Sequence, residues 1–326
     1  MRVPRPILAV WIVFGSLLAT EARGQVLQLG ELNTEQIKKL DRAKTVVLMP
    51  GGVLEEHGPY LPSFSDGFMN AWWTERLAEA IVARPRWTAL VFPMLPLGDG
   101  GANEIGGKYV FPGTYGVRVA TLRAVYMDLA TELGEQGFRW VFVIQNHGSP
   151  LHNQALDHAG DFFRDTFGGQ MVNLCGLEPS DALPAPKLPD AAAKANGIDI
   201  HAGASETSRI LFLKPDLVSA RVAEAPDHGA FSFPKLGEIA RDAAWPGYFG
   251  APRYATAAHG EAVMRQRAAN YNRSALAILD GKDPREIPRY ATGALEAEKE
   301  GAAQSLAYDE TVRKRQENWL KKNGFQ

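Results

Sequence analysis

The sequence predicts an α/β fold, a three-layer sandwich in which a mostly parallel central sheet is flanked by helices. Three short apolar, β-branched runs, 45–49, 87–95 and 140–144, have the composition of buried strands. Residues 67–83 and 119–134 instead show apolar side chains at helical spacing. Strands that alternate with helices favour parallel pairing, because each helix carries the chain back across one face of the sheet.

The composition limits the classes of function. A chain of 326 residues with 45% hydrophobic content can bury a large core. A net charge of −2 without a basic stripe gives no reason to expect a nucleic-acid partner. The single cysteine, Cys175, excludes an internal disulfide and a cysteine-based metal cluster, and we assign it no role beyond the core.

Residues 1–24 have the pattern of a signal peptide. Arg2 and Arg5 precede an apolar run over 7–19, and small residues then allow cleavage before Gln25. The run is too short to cross a bilayer comfortably, although an uncleaved anchor is the alternative. We therefore expect an exported bacterial protein, periplasmic or secreted, without a membrane partner after cleavage.

The remaining chain divides into a domain over 25–283 and a helical C-terminal extension over 284–326. The domain begins with a predicted amphipathic helix at 29–40, for which Asn33 offers a capped start. Residues 98–107 are rich in glycine and predict a flexible active-site loop. Residues 177–196 are rich in proline and alanine and predict an irregular lid that helps to shape the substrate pocket.

Charged side chains follow the first strand of this domain. In an extended segment Glu55 and His57 point to the same side, while Glu56 points away. Asp66 follows at the start of the next helix, where the helix dipole is expected to lower its pKa. Two carboxylates and an imidazole form a ligand set for a divalent metal. The alternative is a surface loop that merely collects charged residues.

A second polar stretch, residues 145–153, follows the strand at 140–144 and contains His147 and His152. Ligands gather at the carboxyl ends of parallel strands, so we expect His147 to converge with the loop after the first strand. His152 is a candidate replacement ligand, but a lone additional histidine is more often a surface or supporting residue.

These stretches resemble the creatininase family of metal-dependent amidohydrolases over about residues 30–282. The family motif E-x-H-G-x-H-L-P, followed by an Asp, is matched at Glu55, His57, Gly58, Leu61, Pro62 and Asp66, with Tyr60 replacing the second His. Further matches are the turn at 111–114, the metal-binding His at His147, the H-A-G-x-x-E-T-S pattern at 201–208 and the closing segment at 247–256.

One departure concerns the second metal. Creatininases proper use a Glu two residues after the metal-binding His, and that position is Ser149 here. A neutral serine is a much poorer ligand than a carboxylate. The departure leaves open whether one or two metals bind, and whether the substrate is creatinine.

The resemblance implies the following site. The metal ligands are Glu55, His57, Asp66, His147 and Glu206. Asp66 bridges two divalent cations, which the mixed nitrogen and oxygen ligands suit to zinc, manganese or iron. Glu206 fills the vacancy left by Ser149 or acts as the general base, and His201 stabilises the oxyanion or protonates the leaving nitrogen.

The expected function is therefore a metal-dependent amidohydrolase that cleaves a C–N bond of a small amide, cyclic or N-formyl, with a metal-activated water. One alternative is a lactone or sugar hydrolase, or an isomerase, that uses the same centre. A second alternative is a degenerate exported relative that binds metal or ligand without turnover. The resemblance also implies a homo-oligomer, a ring-like hexamer, acting on a small-molecule substrate.

Overall fold

The structure is a computed structural model that describes residues 24–325. The predicted signal peptide lies outside the described residues except for Gly24, so it stays a prediction. Within the described part of the chain, no helix is both long enough and apolar enough to cross a membrane.

A five-stranded, entirely parallel sheet forms the centre of the molecule. Its strands are β1 (Gln25–Gln28), β2 (Thr45–Pro50), β3 (Thr88–Val91), β4 (Trp140–Ile144) and β5 (Gln170–Asn173), in the spatial order β1-β3-β2-β4-β5. The strand predicted over 87–95 ends early because Pro93 lacks a backbone N–H. Pairing resumes where the backbone N–H of Leu95 donates to the carbonyl of Pro50.

Ten α-helices surround the sheet within residues 24–325. They are α1 (Thr34–Lys38), α2 (Ser65–Val82), α3 (Val119–Glu135), α4 (Pro150–Phe167), α5 (Asp190–Asn196), α6 (Ala204–Leu213), α7 (Phe233–Arg241), α8 (Ala257–Leu279), α9 (Tyr290–Ala297) and α10 (Lys299–Lys322). Two predictions need correction here. Of the helix predicted over 29–40 only Thr34–Lys38 is α-helical, while its predicted capped start at Asn33 is confirmed by a capping box with Gln36. The segment 177–196 is irregular only up to its last seven residues, where alanine-rich α5 forms.

Side chains that alternate along each strand build the two outer layers. Val46 and Leu48 of β2 pack in the core beneath α2, α6 and α8, whereas Val47 and Met49 pack beneath α3 and α4. Every residue of β2 is buried, as expected for the middle strand of a sheet covered on both faces. The predicted three-layer α/β sandwich is confirmed.

The strand order places the ends of β2 and β4 side by side. These strands pair in parallel with Pro50 opposite Ile144, and the backbone N–H of Gly51 donates to the carbonyl of Ile144. The chain moves outwards from β2 to β3 on one side and from β4 to β5 on the other. Loops that leave such a switch point diverge and open a crevice at the carboxyl edge of the sheet.

The C-terminal helices fold back onto this edge. The Tyr290 hydroxyl at the start of α9 donates to the carbonyl of Gly148 at 2.9 Å, and the Ser305 hydroxyl of α10 donates to Glu104 at 2.5 Å. Farther along α10, Asp309 accepts a hydrogen bond from the first backbone N–H of α3. The predicted helical extension is thus docked on the domain through α9 and the first half of α10.

Candidate metal centre

Residues from three separate segments meet at the carboxyl edge of the sheet. The loop after β2 carries Glu55 and His57, and Asp66 lies in the first turn of α2. His147 follows β4 directly. The third segment is the start of α6, which brings His201 and Glu206. All six side chains are buried.

These side chains form overlapping groups of possible metal ligands, with the donor atoms of each group within 4.8 Å of one another. The groups are Glu55, Asp66 and His147; His57, Asp66 and Glu206; and Glu55, His57 and His201. The first two share Asp66, the residue for which the resemblance implies a bridging role. All five sequence-predicted ligands therefore lie in one cluster.

The three imidazoles are oriented by the backbone. Each places one ring nitrogen against main-chain carbonyl groups, which only accept hydrogen bonds. The contacts are His57 Nδ1 to Glu55 O at 2.9 Å, His147 Nε2 to Asp99 O at 2.8 Å and to Gly100 O at 2.9 Å, and His201 Nε2 to Glu56 O at 2.6 Å. The other nitrogen of each ring faces the carboxylates, as a histidine ligand held by its supporting hydrogen bond does.

The spacing of the donors suits a cation. His147 Nδ1 lies 3.2 Å from Glu55 Oε2 and 3.7 Å from Asp66 Oδ2, and His57 Nε2 lies 3.7 Å from Glu206 Oε2. Two ligand atoms that each lie about 2.1 Å from one ion are roughly 3.4 Å apart in tetrahedral geometry. The Nε2 atom of His57 is also buried without a hydrogen-bond partner among residues 24–325. The residues therefore fit a divalent metal.

Mutual charge shifts the pKa values in this cluster. Burial raises the pKa of Glu55, but His201 and His147 outweigh that effect and hold it at about 2. Burial lowers the pKa of His201, whereas Glu55 and Glu56 raise it to about 10. The expectation for Asp66 is wrong: burial raises the pKa of this carboxyl above its usual value, and the hydrogen bond and charge of His147 do not offset that effect.

Glu56 belongs to the site although it holds no place in the ligand groups. Its carboxylate Oε2 lies 3.5 Å from Nε2 of His201, and its backbone carbonyl accepts the hydrogen bond from the same ring. Glu56 was expected to point away from Glu55, and the structure shows its side chain buried behind His201. Alternation along an extended segment predicts the direction of a side chain but not which residues it contacts.

Ser149 lies outside the ligand groups and begins α4. Its hydroxyl accepts a hydrogen bond from the backbone N–H of His152, which is the geometry of a helix cap. The Asn153 side chain donates to the carbonyls of His147 and Ser149 at 2.8 and 3.0 Å. Asn153 therefore fixes the loop that carries His147. Tyr60 packs edge-on against Tyr248, with ring centres 5.6 Å apart.

His152 is a supporting residue. It is completely buried, and its ring centre lies 5.1 Å from that of His147. Its Nδ1 atom lies 3.5 Å from the carboxylate of Asp99, and His152 joins none of the ligand groups. Burial lowers the pKa of His152 and raises that of Asp99 to about 8.

The ligand cluster opens into a cavity of about 510 Å³. The glycine-rich loop lines this cavity from Gly100 to Ile105, as the sequence predicts for an active-site loop. Residues 177–196, all of which the structure describes, do not line this cavity. Their predicted role in shaping the substrate pocket is therefore wrong. Tyr290, Glu298 and Ser305 of the C-terminal helices line it instead.

Three other residues of the cavity were missed or left without a role. Arg209 and Arg267 line it from α6 and α8. Arg209 directly follows the Glu206-Thr-Ser stretch, and this position in the sequence could have indicated that its charge lies near the site. Cys175 also lines the cavity, but burial raises the pKa of its thiol to about 11 and keeps it protonated at neutral pH.

Comparisons with known proteins agree with this geometry. A sequence profile of the creatininase family, described as creatinine amidohydrolase, matches residues 30–273. Creatinine amidohydrolase of Pseudomonas putida is 28% identical over 250 residues, which are 72% of this chain and 91% of that protein. The mycofactocin precursor peptide peptidase of Mycolicibacterium smegmatis is 30% identical over 240 residues, 72% of this chain and 86% of the peptidase.

Solved structures show the same fold. A mutant creatininase complexed with creatine covers 78% of this chain and 99% of its own, with a TM-score of 0.61 and 24% identity. A manganese form of creatininase gives a TM-score of 0.60 with the same identity and coverage. A zinc–zinc form of a mutant creatininase gives 0.61 at 24% identity, over 77% of this chain and 98% of its own. Together with the profile match, these results place the chain in the creatininase family of hydrolases.

Proposed function

We propose that this protein is a metal-dependent amidohydrolase that hydrolyses a C–N bond of a small amide, cyclic or N-formyl, with two divalent cations per subunit. The observation that carries the proposal is the pair of ligand groups that share Asp66. The buried Nε2 atom of His57, which has no hydrogen-bond partner among the residues that the structure describes, lies beside Glu206 and supports the second cation position. The donor set suits zinc, manganese or iron.

When bound, a divalent metal lowers the pKa of a coordinated water and polarises a carbonyl group. The side chains of the protein orient the substrate and supply or accept its protons. His201 reaches the cavity with its Nδ1 atom 3.6 Å from Glu55 Oε1, and Glu56 flanks the other edge of the ring. The two carboxylates favour the positively charged imidazole, which suits His201 to stabilise an oxyanion or to protonate a leaving nitrogen.

Glu206 has two possible roles. Its Oε2 atom accepts a hydrogen bond from the backbone N–H of Ala202 at 2.7 Å and faces His57. A carboxylate in this position can serve as the ligand that Ser149 does not supply, or it can take a proton from the attacking water. The ligand role is the one we favour, because Glu206 shares a ligand group with His57 and Asp66.

A second candidate function is hydrolysis of a peptide C–N bond. A relative at 30% identity is named a peptidase, and a cavity of about 510 Å³ falls in the size range of sites that bind drug-sized ligands. Amide and peptide hydrolysis require the same polarised carbonyl and the same proton for the leaving nitrogen. The substrate panel below includes both.

The test is a comparison of metal-stripped and reconstituted protein. Protein dialysed against a chelator is reloaded with manganese or zinc and assayed on cyclic amides, N-formyl amides, short peptides and lactones, with Asp66→Asn as the control. We expect C–N hydrolysis that disappears on stripping and returns with metal. Full activity after stripping would contradict the metal role. Turnover of lactones alone would favour the C–O alternative, and bound metal without any turnover would indicate a degenerate relative.

We also propose that the protein is exported and assembles as a homo-oligomer, a hexamer by family resemblance. Light scattering coupled to gel filtration measures the assembly, and N-terminal sequencing of protein from the periplasm or medium tests cleavage before Gln25. A monomeric particle or an intact Met1 end in the exported fraction would contradict these proposals.

A further inference from the structure

Two guanidinium groups line the cavity beside the candidate metal centre. Arg209 lies one helical turn after Glu206 on α6, and Arg267 lies on the neighbouring helix α8. Neither residue has a place in the hydrolytic chemistry proposed above. Burying a guanidinium costs free energy unless an anion or several acceptors compensate it, so their position calls for a ligand or a partner.

Arg209 is only partly compensated by the protein. Its side chain is 8% exposed, and its Nη1 atom is buried without a hydrogen-bond partner in the described part of the chain. Its Nη2 atom lies 3.6 Å from Glu206 Oε1, and its Nε–H donates to the backbone carbonyl of Ser205 at 3.4 Å. Glu206 is shared, because its other carboxylate oxygen faces His57 at 3.7 Å.

Arg267 has no carboxylate within 4.0 Å in the part of the chain that the structure describes. Its Nη1 atom donates to the side-chain oxygen of Asn146 at 2.5 Å, and its guanidinium lies 6.0 Å from the ring of Trp73. Asn146 directly precedes His147, so this contact fixes the guanidinium next to the ligand cluster. The guanidinium also has a side-chain hydrogen bond with Tyr271, and with five N–H donors it can still serve a group in the cavity that it lines.

The guanidinium donors at this end of the cavity call for an anionic acceptor. Glu206 lies within 4.0 Å of Arg209, whereas Arg267 has no carboxylate that close among the described residues, and Asp66 and the exposed Asp199 also line the cavity. A carboxylate on the ligand adds a single negative charge beside these acids. A phosphate group, with a charge of about −1.5 to −2, is repelled by them more strongly. Guanidinium donors also form a planar fork that fits the two oxygens of a carboxylate.

We propose that Arg209 and Arg267 form an anion subsite that binds a carboxylate of the substrate, so that the enzyme acts on small amides that carry a carboxylate group. This inference rests on the proposed function for the position of the scissile bond. The subsite holds the carboxylate at the arginines while the carbonyl of the amide lies at the metal centre. It thereby fixes the orientation of a substrate too small to be oriented by shape alone.

The first experiment compares matched substrates. Kinetics with N-formyl amino acids and their neutral carboxamides are measured for the wild type, Arg267→Met and Arg267→Lys, all loaded with metal. We expect the wild type to prefer the carboxylates. Arg267→Met should raise KM for the carboxylates about 10- to 100-fold, which is the loss typical of a hydrogen bond between charged groups. Arg267→Lys should restore part of the preference.

The matched control is Arg265→Met, since Arg265 lies on the same helix, pairs with Glu261 and is 65% exposed. It should keep the preference of the wild type. Unchanged melting temperature and metal content are required for each variant. A wild type without preference, or an Arg267→Met variant that slows carboxylates and carboxamides equally, would overturn the subsite.

Calorimetry separates failure of this inference from failure of the proposed function. Metal-loaded wild type and Arg267→Met are titrated with N-formylglycine, its carboxamide and inorganic phosphate. Binding of N-formylglycine that is lost in the variant supports the subsite even if no amide is turned over. Equal binding by both proteins rejects it, and tighter binding of phosphate than of N-formylglycine rejects a carboxylate as its ligand.

Discussion

The Oε2 atom of Glu206 lies 3.7 Å from Nε2 of His57, although the two residues come from the start of α6 and from the loop after β2. Both side chains are buried, and Asp66 completes their ligand group. Ser149 meanwhile caps α4. The chain thus has a carboxylate beside His57 despite lacking the Glu that creatininases proper carry two residues after the metal-binding histidine.

The proposed site holds two cations per subunit, and Glu206→Gln should therefore lower the metal content to one. An amide has the shape of the carboxylate but is a weaker ligand for a divalent cation. Metal analysis after gel filtration measures the loss. His57→Ala is the matched variant, because His57 belongs to the same ligand group as Glu206. Two retained cations with a 10²- to 10⁴-fold lower kcat would instead assign Glu206 as the general base.

Asp66→Ala and His147→Ala should differ in the same measurement. Asp66 belongs to two ligand groups, whereas His147 belongs to one. We expect Asp66→Ala to lose both cations and His147→Ala mainly one. Loss of a single cation in Asp66→Ala would argue against a bridging carboxylate. Circular dichroism of each apo variant checks that the fold survives.

Ser149→Ala separates a helix cap from a metal ligand. Because the Ser149 hydroxyl accepts from the backbone at the start of α4, the change should lower the free energy of unfolding by about 1 kcal/mol. Metal content and the metal dependence of activity should stay those of the wild type. Denaturant unfolding and metal analysis test the two halves, and a lost cation would return Ser149 to the ligand set.

Local patterns predicted the parts of the molecule that depend on neighbours in sequence. The strand at 140–144 has the bounds expected from its apolar run. The convergence of His147 with Glu55 follows from a general property of parallel sheets, since the loops after β2 and β4 leave the same edge. That Asp66 bridges two cations is implied by the family resemblance, cannot be derived from spacing alone and stays a prediction.

What the sequence could not give depends on long-range packing. Burial of Asp66 reverses the pKa shift expected from the helix dipole, because burial is set by every layer that covers the site. The docking of α9 and α10 over the cavity depends on single contacts such as Tyr290 with Gly148. Nothing in the polar composition of the extension shows which surface it covers.

The docked extension should limit the size of the substrate. Removal of residues 284–326 takes away Tyr290, Glu298 and Ser305, which line the cavity. We expect the truncated protein to accept larger amides and to bind small ones less tightly, with a higher KM. The ratio of kcat/KM for a large and a small substrate measures the effect. An unchanged ratio would show that the extension does not define the cavity in solution.

Arg289→Met tests the same docking without deleting chain. Arg289 makes two hydrogen bonds to Asp161 of α4, at 2.8 and 2.7 Å, and these bonds, together with the hydrogen bond from Arg164, hold the pKa of Asp161 at about 2. Since the folded-state pKa lies below the ordinary value, the pair stabilises docking above about pH 4 and is lost as the pH falls towards 2. The variant should be cleaved faster within α9 and α10 by a protease at neutral pH. Arg285→Met is the control, because Arg285 pairs only with nearby Asp283 among residues 24–325 and its loss should leave the cleavage rate unchanged. Equal cleavage of both variants would show that the Arg289–Asp161 pair does not hold the extension in place.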